Sequence, residues 1–462
     1  MIEPRFATQA IAAFALRVGS DDLDGYAADR LKRSLLDAIG CALGALDAPP
    51  VTAIRGLVDE FGGTGRATMI GGGRTAPDRA CLVNGCLVRY VDFMDNIASK
   101  GEVCHPSDNI AALVAAGEHA GASGRDLLLG LAVSYQVQSR LMETLPTMRG
   151  GLNYTTPLAY SVAAGSARLL GFDAERTAHA LALAGVSAVS LAVIQAEPVS
   201  NWKGLASGET ASRALLNTFI AGRGVTGTLG VFDGPFGLDH LVRDHSTIDW
   251  SKEPLDAGNR VSIKRYNAEF QSQTSVEAAI ELGQRIADPG CITSVTLDVA
   301  KGAYDVLGGG SYGPKDDCRI KEQADHNLKY LVAAALIDRQ MLPEQFAPER
   351  IERADVQELL GKVTVRSSFL YTRRIPEEMP CKLVVHIAGG EMLSAERSDY
   401  DGFHTRPMSW DDVVAKFDRL ASPHADGRLR AKIVATVRDI ERHLVTDLMA
   451  LLALAGHEET RG

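Results

Sequence analysis

Apolar residues recur at helical spacing over most of the chain. Stripes with the spacing of amphipathic or buried helices cover residues 6–44, 51–61, 79–90, 110–119 and 123–145. Residues 151–193 and 201–222 are rich in Ala, Gly and Ser and poor in charge, which is typical of helices that are buried on every face. The pattern therefore predicts a large helical bundle.

The pattern changes near Val261, where short alternating segments begin to separate the helical ones. VSIKRYN, SVTLDVA and KVTVRSS have strand-like alternation, and KLVVHIAGG with EMLSAERSDY predicts a hairpin. Helical spacing returns from about Arg406 to Leu454. We therefore predict a mostly α fold with an inserted α+β lid domain: a helical domain over 1–262, the lid over 263–404, and a C-terminal return to the helical domain over 405–462.

Composition and charge exclude several classes of protein. The chain has 462 residues, is 46% hydrophobic and 23% charged, and carries a net charge of -10. The acidic balance argues against nonspecific binding to nucleic acid or to an anionic membrane. Apolar runs are too short to cross a bilayer, and the N-terminus lacks a signal-peptide core, so we expect a cytoplasmic protein. The seven cysteines form no CxxC pair and no Cys/His metal spacing, which indicates reduced thiols and no metal site.

Polar residues concentrate between two predicted core helices, from Tyr90 to Asn109. His105 precedes Pro106 and a helix start, so its ring could act as a general acid or base, bind an anion, or only brace the loop. Asp92 and Asp95 are spaced one helical turn apart, which predicts a shared face. Such a pair could bind a metal, but pairing with Arg89 or Lys100 is the stronger interpretation, and Asp92 could instead orient His105.

Two lysines stand where a charge needs a partner. Lys203 opens a helix of small residues, which suggests a ligand carboxylate or an internal Asp. Lys264 lies at the predicted domain boundary, either facing a cleft or at an exposed strand end. Tyr304 is placed at the end of a strand, as a hydrogen-bond donor in the cleft or as a packing residue. His326 is interpreted as a capping or interface residue.

Several motifs in order resemble the MmgE/PrpD family of 2-methylcitrate dehydratases and their relatives. They are VRYVDFMDN and HPSDN, NYTTPLAYSVAAGSARLLGF, WKGLASGETASRA, GVFDGPFG, IKRYNAEFQSQTSVEAAIEL and ADHNLKYLVAAALIDRQ. The resemblance implies a helical domain with an inserted lid, a homodimer, no cofactor, and a small polycarboxylate substrate. Known activities of the family are dehydration of 2-methylcitrate, decarboxylation of cis-aconitate and epimerisation of iminodisuccinate.

The resemblance also implies roles for individual residues. Catalytic roles fall to Asp92, His105, Lys203 and Tyr304, and substrate-binding roles to Asn96, Ser107, Tyr154, Lys264 and Gln271. Asn96 stands where decarboxylases carry Thr, Asn153 and Tyr154 stand where the family has a second histidine, and Gln271 replaces another histidine. These departures count against decarboxylation of cis-aconitate.

We therefore expect a lyase that dehydrates 2-methylcitrate or a related hydroxy acid by removing a proton alpha to a carboxylate. An isomerase or epimerase, a decarboxylase on a related polycarboxylate, and a non-catalytic binding protein with the same fold remain alternatives.

Overall fold

The computed structural model describes residues 4–99, 102–242 and 247–457. Helices dominate the first 260 residues and the C-terminal 50. In chain order the helices are α1 Ala7–Arg17, α2 Gly25–Leu43, α3 Pro49–Phe61, α4 Pro77–Tyr90, α5 Ile110–Ala120, α6 Gly124–Thr144, α7 Thr155–Leu169, α8 Ala174–Ser187, α9 Ala206–Gly222, α10 Leu238–Leu241, α11 Gln273–Arg285, α12 Lys301–Leu307, α13 Lys321–Ala324, α14 Leu328–Asp338, α15 Pro348–Ile351, α16 Ala354–Gly361, α17 Phe369–Thr372, α18 Trp410–Ala421, α19 Gly427–Arg438 and α20 Val445–Leu452.

The strands form small sheets in three places. They are β1 Ala67–Thr68, β2 Arg74–Thr75, β3 Asp95–Ala98, β4 Val103–Cys104, β5 Ser262–Ile263, β6 Ile292–Val299, β7 Val363–Ser367, β8 Cys381–Ile387 and β9 Met392–Arg397. The largest sheet has the order β7-β6-β8-β9, with β6 and β7 parallel and the other pairs antiparallel. The predicted β8–β9 hairpin is confirmed, and Gly389 and Gly390 supply the positive φ angles of its turn.

Apolar packing separates the chain into two main cores. One core draws on residues 11–263 and again on residues 408–455, and the other on residues 268–395. The fold is thus mostly helical with small sheets, and the α+β segment lies between two stretches that share a core. The domain boundaries at 262/263 and 404/405 stay predictions.

The C-terminal return is anchored on α2 by close packing and by a buried ion pair. A Cβ on Gly40 would lie 3.2 Å from the Phe417 Cα, so the absence of a side chain at Gly40 lets α2 and α18 approach closely. Lys416 Nζ of α18 pairs with Asp37 Oδ1 at 2.6 Å and donates to the carbonyls of Phe93 and Lys264. The C-terminal helices therefore support the backbone on which the candidate site is built.

A short three-stranded sheet brings the start of the α+β segment to the polar stretch. β3 pairs with β4 on one side and with β5 on the other, with Asp95 opposite Ile263 and Asn96 opposite Ser262. This register places Lys264 beside Asp92. The expectation that Asp92 and Asp95 share a helical face is wrong, because α4 ends at Tyr90 and Asp95 begins β3.

Within the described ranges, no helix combines the length and the apolar character needed to cross a bilayer.

Candidate active site

Charged side chains from both parts of the chain meet in one buried place. We call this set the charged cluster; its members are Arg89, Asp92, His105, Lys203, Lys264, Lys321, Asp325 and His326. Four of them come from the first helical part, and four from the segment that follows residue 263. Neither part holds the cluster alone.

Asp92 lies near the centre of the cluster in a left-handed backbone conformation, with φ of 54°. A non-glycine residue there carries backbone strain, which is common at functional sites. Its Oδ1 accepts from Arg89, and also from Lys264 Nζ at 2.9 Å. Burial alone would raise the pKa of Asp92, but Lys264 and Arg89 outweigh burial and hold the pKa well below its usual value. Asp92 is therefore an ionised, buried carboxylate.

The second carboxylate oxygen of Asp92, Oδ2, is buried and has no hydrogen-bond donor among the described residues. His326 Nδ1 is the nearby group, at 3.9 Å. A buried ionised oxygen without a donor is costly, so this atom is a natural position for a substrate hydroxyl or a proton.

Asp325 is the second carboxylate of the cluster. It accepts from Lys203 Nζ at 2.7 Å, from Lys321 Nζ at 2.8 Å and from His326 Nδ1 at 2.7 Å. Burial opposes ionisation, but Lys203 and Lys321 overcome it and hold the pKa of Asp325 well below its usual value. Of the two partners predicted for Lys203, the internal Asp is the one observed.

His105 and His326 are both held as neutral imidazoles by a hydrogen bond from Nδ1. His105 Nδ1 contacts the Asp95 carbonyl at 2.8 Å and His326 Nδ1 contacts Asp325, so in each ring Nδ1 donates and Nε2 keeps a lone pair. Burial, reinforced by Arg89 and Lys264, lowers the pKa of His105 well below its usual value. Burial and Lys203 lower the pKa of His326 to about 4. At neutral pH each ring is a base or a hydrogen-bond acceptor.

Two further acids next to the cluster have raised pKa values, whereas the pKa values of Asp92 and Asp325 are lowered. Burial raises the pKa of Glu269 to about 7, although Lys264 and Lys203 lower it in part. Burial likewise raises the pKa of Asp108 to about 7, against the opposing effect of Arg89. Carboxyl groups whose pKa values are pushed apart in one site are the usual arrangement for separate acid and base roles.

Three potential metal ligands come together in the cluster, but the surrounding charges do not suit a metal. Oxygen or nitrogen atoms of Asp92, Asp325 and His326 lie within 4.8 Å of one another. Both carboxylates are already bound by protein cations, two on each. A divalent ion would have to displace those cations or face their repulsion, so the donor set does not fit a metal.

The predicted site residues fall into three groups. Asp92, His105, Lys203 and Lys264 lie in the cluster, and the alternative of an exposed strand end is wrong for Lys264, which has no exposed surface. Tyr154 packs against the His105 ring, with centroids 5.5 Å apart.

Asn96 and Ser107 stand just behind the cluster. Asn96 is fully buried on β3 beside Asp95. The Ser107 amide donates to Asp95 Oδ1 at 2.9 Å, and Tyr135 donates to Asp95 Oδ2 at 2.8 Å, so Asp95 braces the loop that carries His105. Lys100, one of the partners considered for the acidic pair, lies outside the described residues.

Two predicted residues lie elsewhere. Tyr304 does not end a strand; it lies in helix α12 and packs against the second core. None of the described hydrogen bonds, ion pairs or ring contacts joins it to the cluster. Gln271 lines a cavity of about 380 Å³ next to the cluster. Their functional roles stay predictions.

The sequence interpretation missed Glu269 and undervalued His326 and Arg89. Glu269 follows Ala268 in an otherwise unremarkable turn, and its raised pKa depends on burial that no local pattern reveals. His326 was interpreted as a cap or interface residue, yet it lies between Asp92 and Asp325. Arg89 was considered only as an ion-pair partner. The sequence held one signal for this part of the site, the adjacent Asp325 and His326 before an apolar helix. Burying two polar groups at such a position is unfavourable, so their presence there points to a functional role.

Comparison with known proteins identifies the family. Sequence models of the MmgE/PrpD N-terminal domain and the MmgE/PrpD C-terminal domain match residues 9–251 and 266–441. The chain belongs to the MmgE/PrpD family. The mostly helical fold with small sheets is the two-domain architecture of this family.

Similar proteins within the MmgE/PrpD family have different activities. The chain is 26% identical over 424 residues to a 2-methylcitrate dehydratase of Cupriavidus necator, with 83% of each chain covered. It is 24% identical over 467 residues to a human cis-aconitate decarboxylase, which covers 95% of this chain and 92% of the relative. A cis-aconitate decarboxylase-like protein, oryM, of Aspergillus oryzae is 24% identical over 94% of both chains. These similarities support a function at the level of the family and no particular substrate.

Proposed function

We propose that this chain is a cofactor-free lyase that removes water from 2-methylcitrate or a related hydroxy acid. The observation that carries the proposal is the charged cluster itself. Three buried cations and the partly buried Lys321 face two low-pKa carboxylates, and the histidines are neutral, so the site has an excess of positive charge. Such an excess suits a substrate with two or three carboxylates.

The proposed mechanism assigns binding to the lysines and proton removal to a histidine. Lys203 and Lys264 exchange part of their contact with Asp325 and Asp92 for substrate carboxylates. His105 Nε2 takes the proton alpha to a carboxylate, and Asp92 stabilises the imidazolium that forms. The lysines stabilise the negative charge that develops on the substrate.

The departing hydroxyl needs a proton, and Glu269 is the donor whose protonation suits this role. A carboxyl group with a pKa of about 7 is still partly protonated at neutral pH, which an ordinary Glu is not. Tyr304 is the acid that the family resemblance implies, and it would need to approach the cluster when substrate binds. Residues 263–404 carry both candidates and form the proposed lid.

One observation favours an isomerase or epimerase as the second candidate. Two neutral histidines, His105 and His326, lie near Asp92, and each has an available Nε2 lone pair. Removal of a proton by one base and its return by another is the requirement for inversion at a carbon alpha to a carboxylate.

The test is proton NMR of the purified protein in D2O with 2-methylcitrate, citrate, cis-aconitate and a set of dicarboxylates. An alkene formed from a hydroxy acid supports the dehydratase. Deuterium incorporation without an alkene supports the isomerase, and loss of CO2 supports a decarboxylase. If a folded protein changes none of these compounds, all three activities are contradicted and a non-catalytic binding protein is favoured.

Variants connect any activity to the cluster. We expect His105→Asn to lower kcat/KM by at least about 100-fold, which is the usual contribution of a general base. Lys203→Met should raise KM and lower kcat, because it removes charge that acts in both binding and catalysis. His386→Asn and Lys382→Met are matched controls, since both residues are exposed on β8. Equal activity of the cluster variants and their controls would contradict the assignment.

We also propose that the chain forms a homodimer through an apolar patch near α8. Val186, Leu191 and Val193 are 63%, 59% and 67% exposed within one eight-residue stretch, and Trp202 next to Lys203 is 44% exposed. Exposed apolar groups at this density are typical of an interface. Sedimentation should show a dimer that Val193→Asp dissociates, while Leu57→Asp on α3 leaves it intact. A monomeric wild-type protein would refute the proposal.

A further inference from the structure

A cavity of about 380 Å³ opens beside the charged cluster, and its walls are mainly apolar. This volume is within the range of small-molecule sites. Its apolar lining comprises Ala98, Val103, Phe270, Ala300, Ile375 and Met379. The walls come from β3 and β4, from the turn before α11, from the start of α12 and from the segment after α17.

The cavity and the cluster are built from neighbouring residues of the same short segments. β3 carries Asp95 at one end and Ala98 at the other, where Ala98 pairs with Val103 of β4. Val103 is two residues from His105, which is about 7 Å along an extended chain. Gln271 also lines the cavity, and its backbone N–H donates to Glu269 Oε2 at 2.5 Å. The groups proposed to carry out the reaction and the walls of the cavity therefore share the same short segments.

The two places differ in the chemistry they can accept. The cluster holds an excess of cations, whereas the cavity has Glu102 on its wall together with Arg373 and mostly apolar carbon. Glu102 is buried and accepts from Thr147 Oγ1 at 2.9 Å and from the Met148 amide at 3.0 Å. A carboxylate placed against the apolar part of this lining would lose its hydration, so that part of the cavity favours a neutral, apolar group.

We propose that the cavity receives an apolar substituent of the substrate while the substrate's carboxylates lie at the charged cluster. The inference rests on the proposed function, and it narrows the substrate class to polycarboxylates that carry an alkyl or comparable apolar side chain. No cluster residue lines the cavity, so a substituent that reaches it from the cluster is expected to be longer than methyl.

A series of 2-alkylcitrates tests the inference, from citrate and 2-methylcitrate to 2-hexylcitrate. For each methylene that enters the cavity we expect kcat/KM to rise by about fourfold, from the usual value of burying a CH2 group. The increase should begin beyond the methyl compound and end when the cavity is full. If the cavity were only an entry channel for the substrate, kcat/KM would not depend on the length of the alkyl chain.

Gly302→Leu fills the cavity from α12. A Cβ at Gly302 would lie 2.9 Å from Gln271 Oε1, and this is the movable end of a flexible side chain, so the substitution is expected to fold. It should abolish the gain from long chains, so that kcat/KM falls further for 2-hexylcitrate than for citrate and 2-methylcitrate. Gly56→Leu is the matched control, because a Cβ at Gly56 on helix α3 meets nothing within 4 Å. Thermal unfolding of both variants checks that they are folded.

Binding separates a failure of this inference from a failure of the proposed function. If no compound is turned over, calorimetry with citrate and 2-hexylcitrate still measures the site: tighter binding of the alkyl compound, lost in Gly302→Leu, supports the inference without the reaction. Turnover or binding that is flat along the series, or that Gly302→Leu lowers equally for every compound, overturns it. Absence of both turnover and binding overturns both proposals.

Discussion

Replacement of Glu269 by Gln should change how the stability of the protein depends on pH. Burial raises the pKa of Glu269 from its ordinary value of 4.5 to about 7 in the folded protein. The folded state therefore keeps this proton to higher pH than the unfolded chain. The associated stability is fully present below pH 4.5 and is lost as the pH rises through about 7.

The change in unfolding free energy follows from the difference between the folded and unfolded pKa values of Glu269. A difference of about 2.5 pKa units corresponds to about 3 kcal/mol, most of it lost between pH 5 and pH 8. Gln has the shape of the protonated acid, and its side-chain oxygen can still accept from the Gln271 amide. Relative to wild type, Glu269→Gln should therefore gain about 3 kcal/mol in unfolding free energy on going from low to high pH.

Urea unfolding at pH values from 5 to 9 measures this difference. His105, His326, Asp92 and Asp325 also titrate differently in the folded and unfolded states, but they are present in both proteins and their contributions cancel to first order. Glu349→Gln, at an exposed position, is the matched control for the chemical change. Parallel curves for wild type and Glu269→Gln over the whole range would refute the raised pKa and, with it, the acid role proposed for Glu269.

Two further predictions concern packing and charge. Gly85→Ala should lower the unfolding free energy by about 1–3 kcal/mol, because the added Cβ would lie 2.8 Å from the Gly208 Cα where α4 crosses α9. The control Gly56→Ala, whose added Cβ meets nothing within 4 Å, should instead raise the unfolding free energy by up to about 1 kcal/mol. Equal effects of the two substitutions in chemical denaturation would contradict the close crossing of α4 and α9. Asp325→Asn should lower the unfolding free energy by about 3 kcal/mol, because Lys203 loses its buried counter-charge. Citrate should then stabilise this variant more than it stabilises the wild-type protein. If citrate raises the unfolding temperature of the variant no more than that of wild type, Lys203 is not a carboxylate-binding site.

The cluster also accounts for an unusual feature of the backbone. Asp92 occupies a left-handed conformation immediately after α4, where a helix could have continued. The conformation turns the carboxylate toward Lys264, whose Nζ contacts both the backbone carbonyl and the side chain of Asp92. The strained backbone at Asp92 thus places one carboxylate among several cations, which is consistent with a functional rather than a purely structural arrangement.

Much of the architecture was accessible from the sequence. Apolar spacing located the helices on either side of the polar stretch, the alternation between 292 and 397 located the main sheet, and turn glycines located the β8–β9 hairpin. Such patterns depend on local periodicity, so the sequence expresses them directly. Polar stretches contain no such periodicity, and the prediction of a helical face for Asp92 and Asp95 was wrong for that reason.

The sequence by itself determined the types of group available: the polar stretch with His105, the lone lysines at 203 and 264, and the small residues that let helices pack closely. Only the tertiary structure decided which of these groups meet. The pairing of β5 with β3 carries Lys264 to Asp92, and Asp325 and His326, which lie far along the chain, close the cluster from the α+β segment. Burial and the neighbouring cations together then divide the titrating groups into low-pKa carboxylates, neutral histidines and acids with a pKa near 7. Charge states of this kind arise from desolvation and from neighbours distant in sequence, and neither is written in any local pattern.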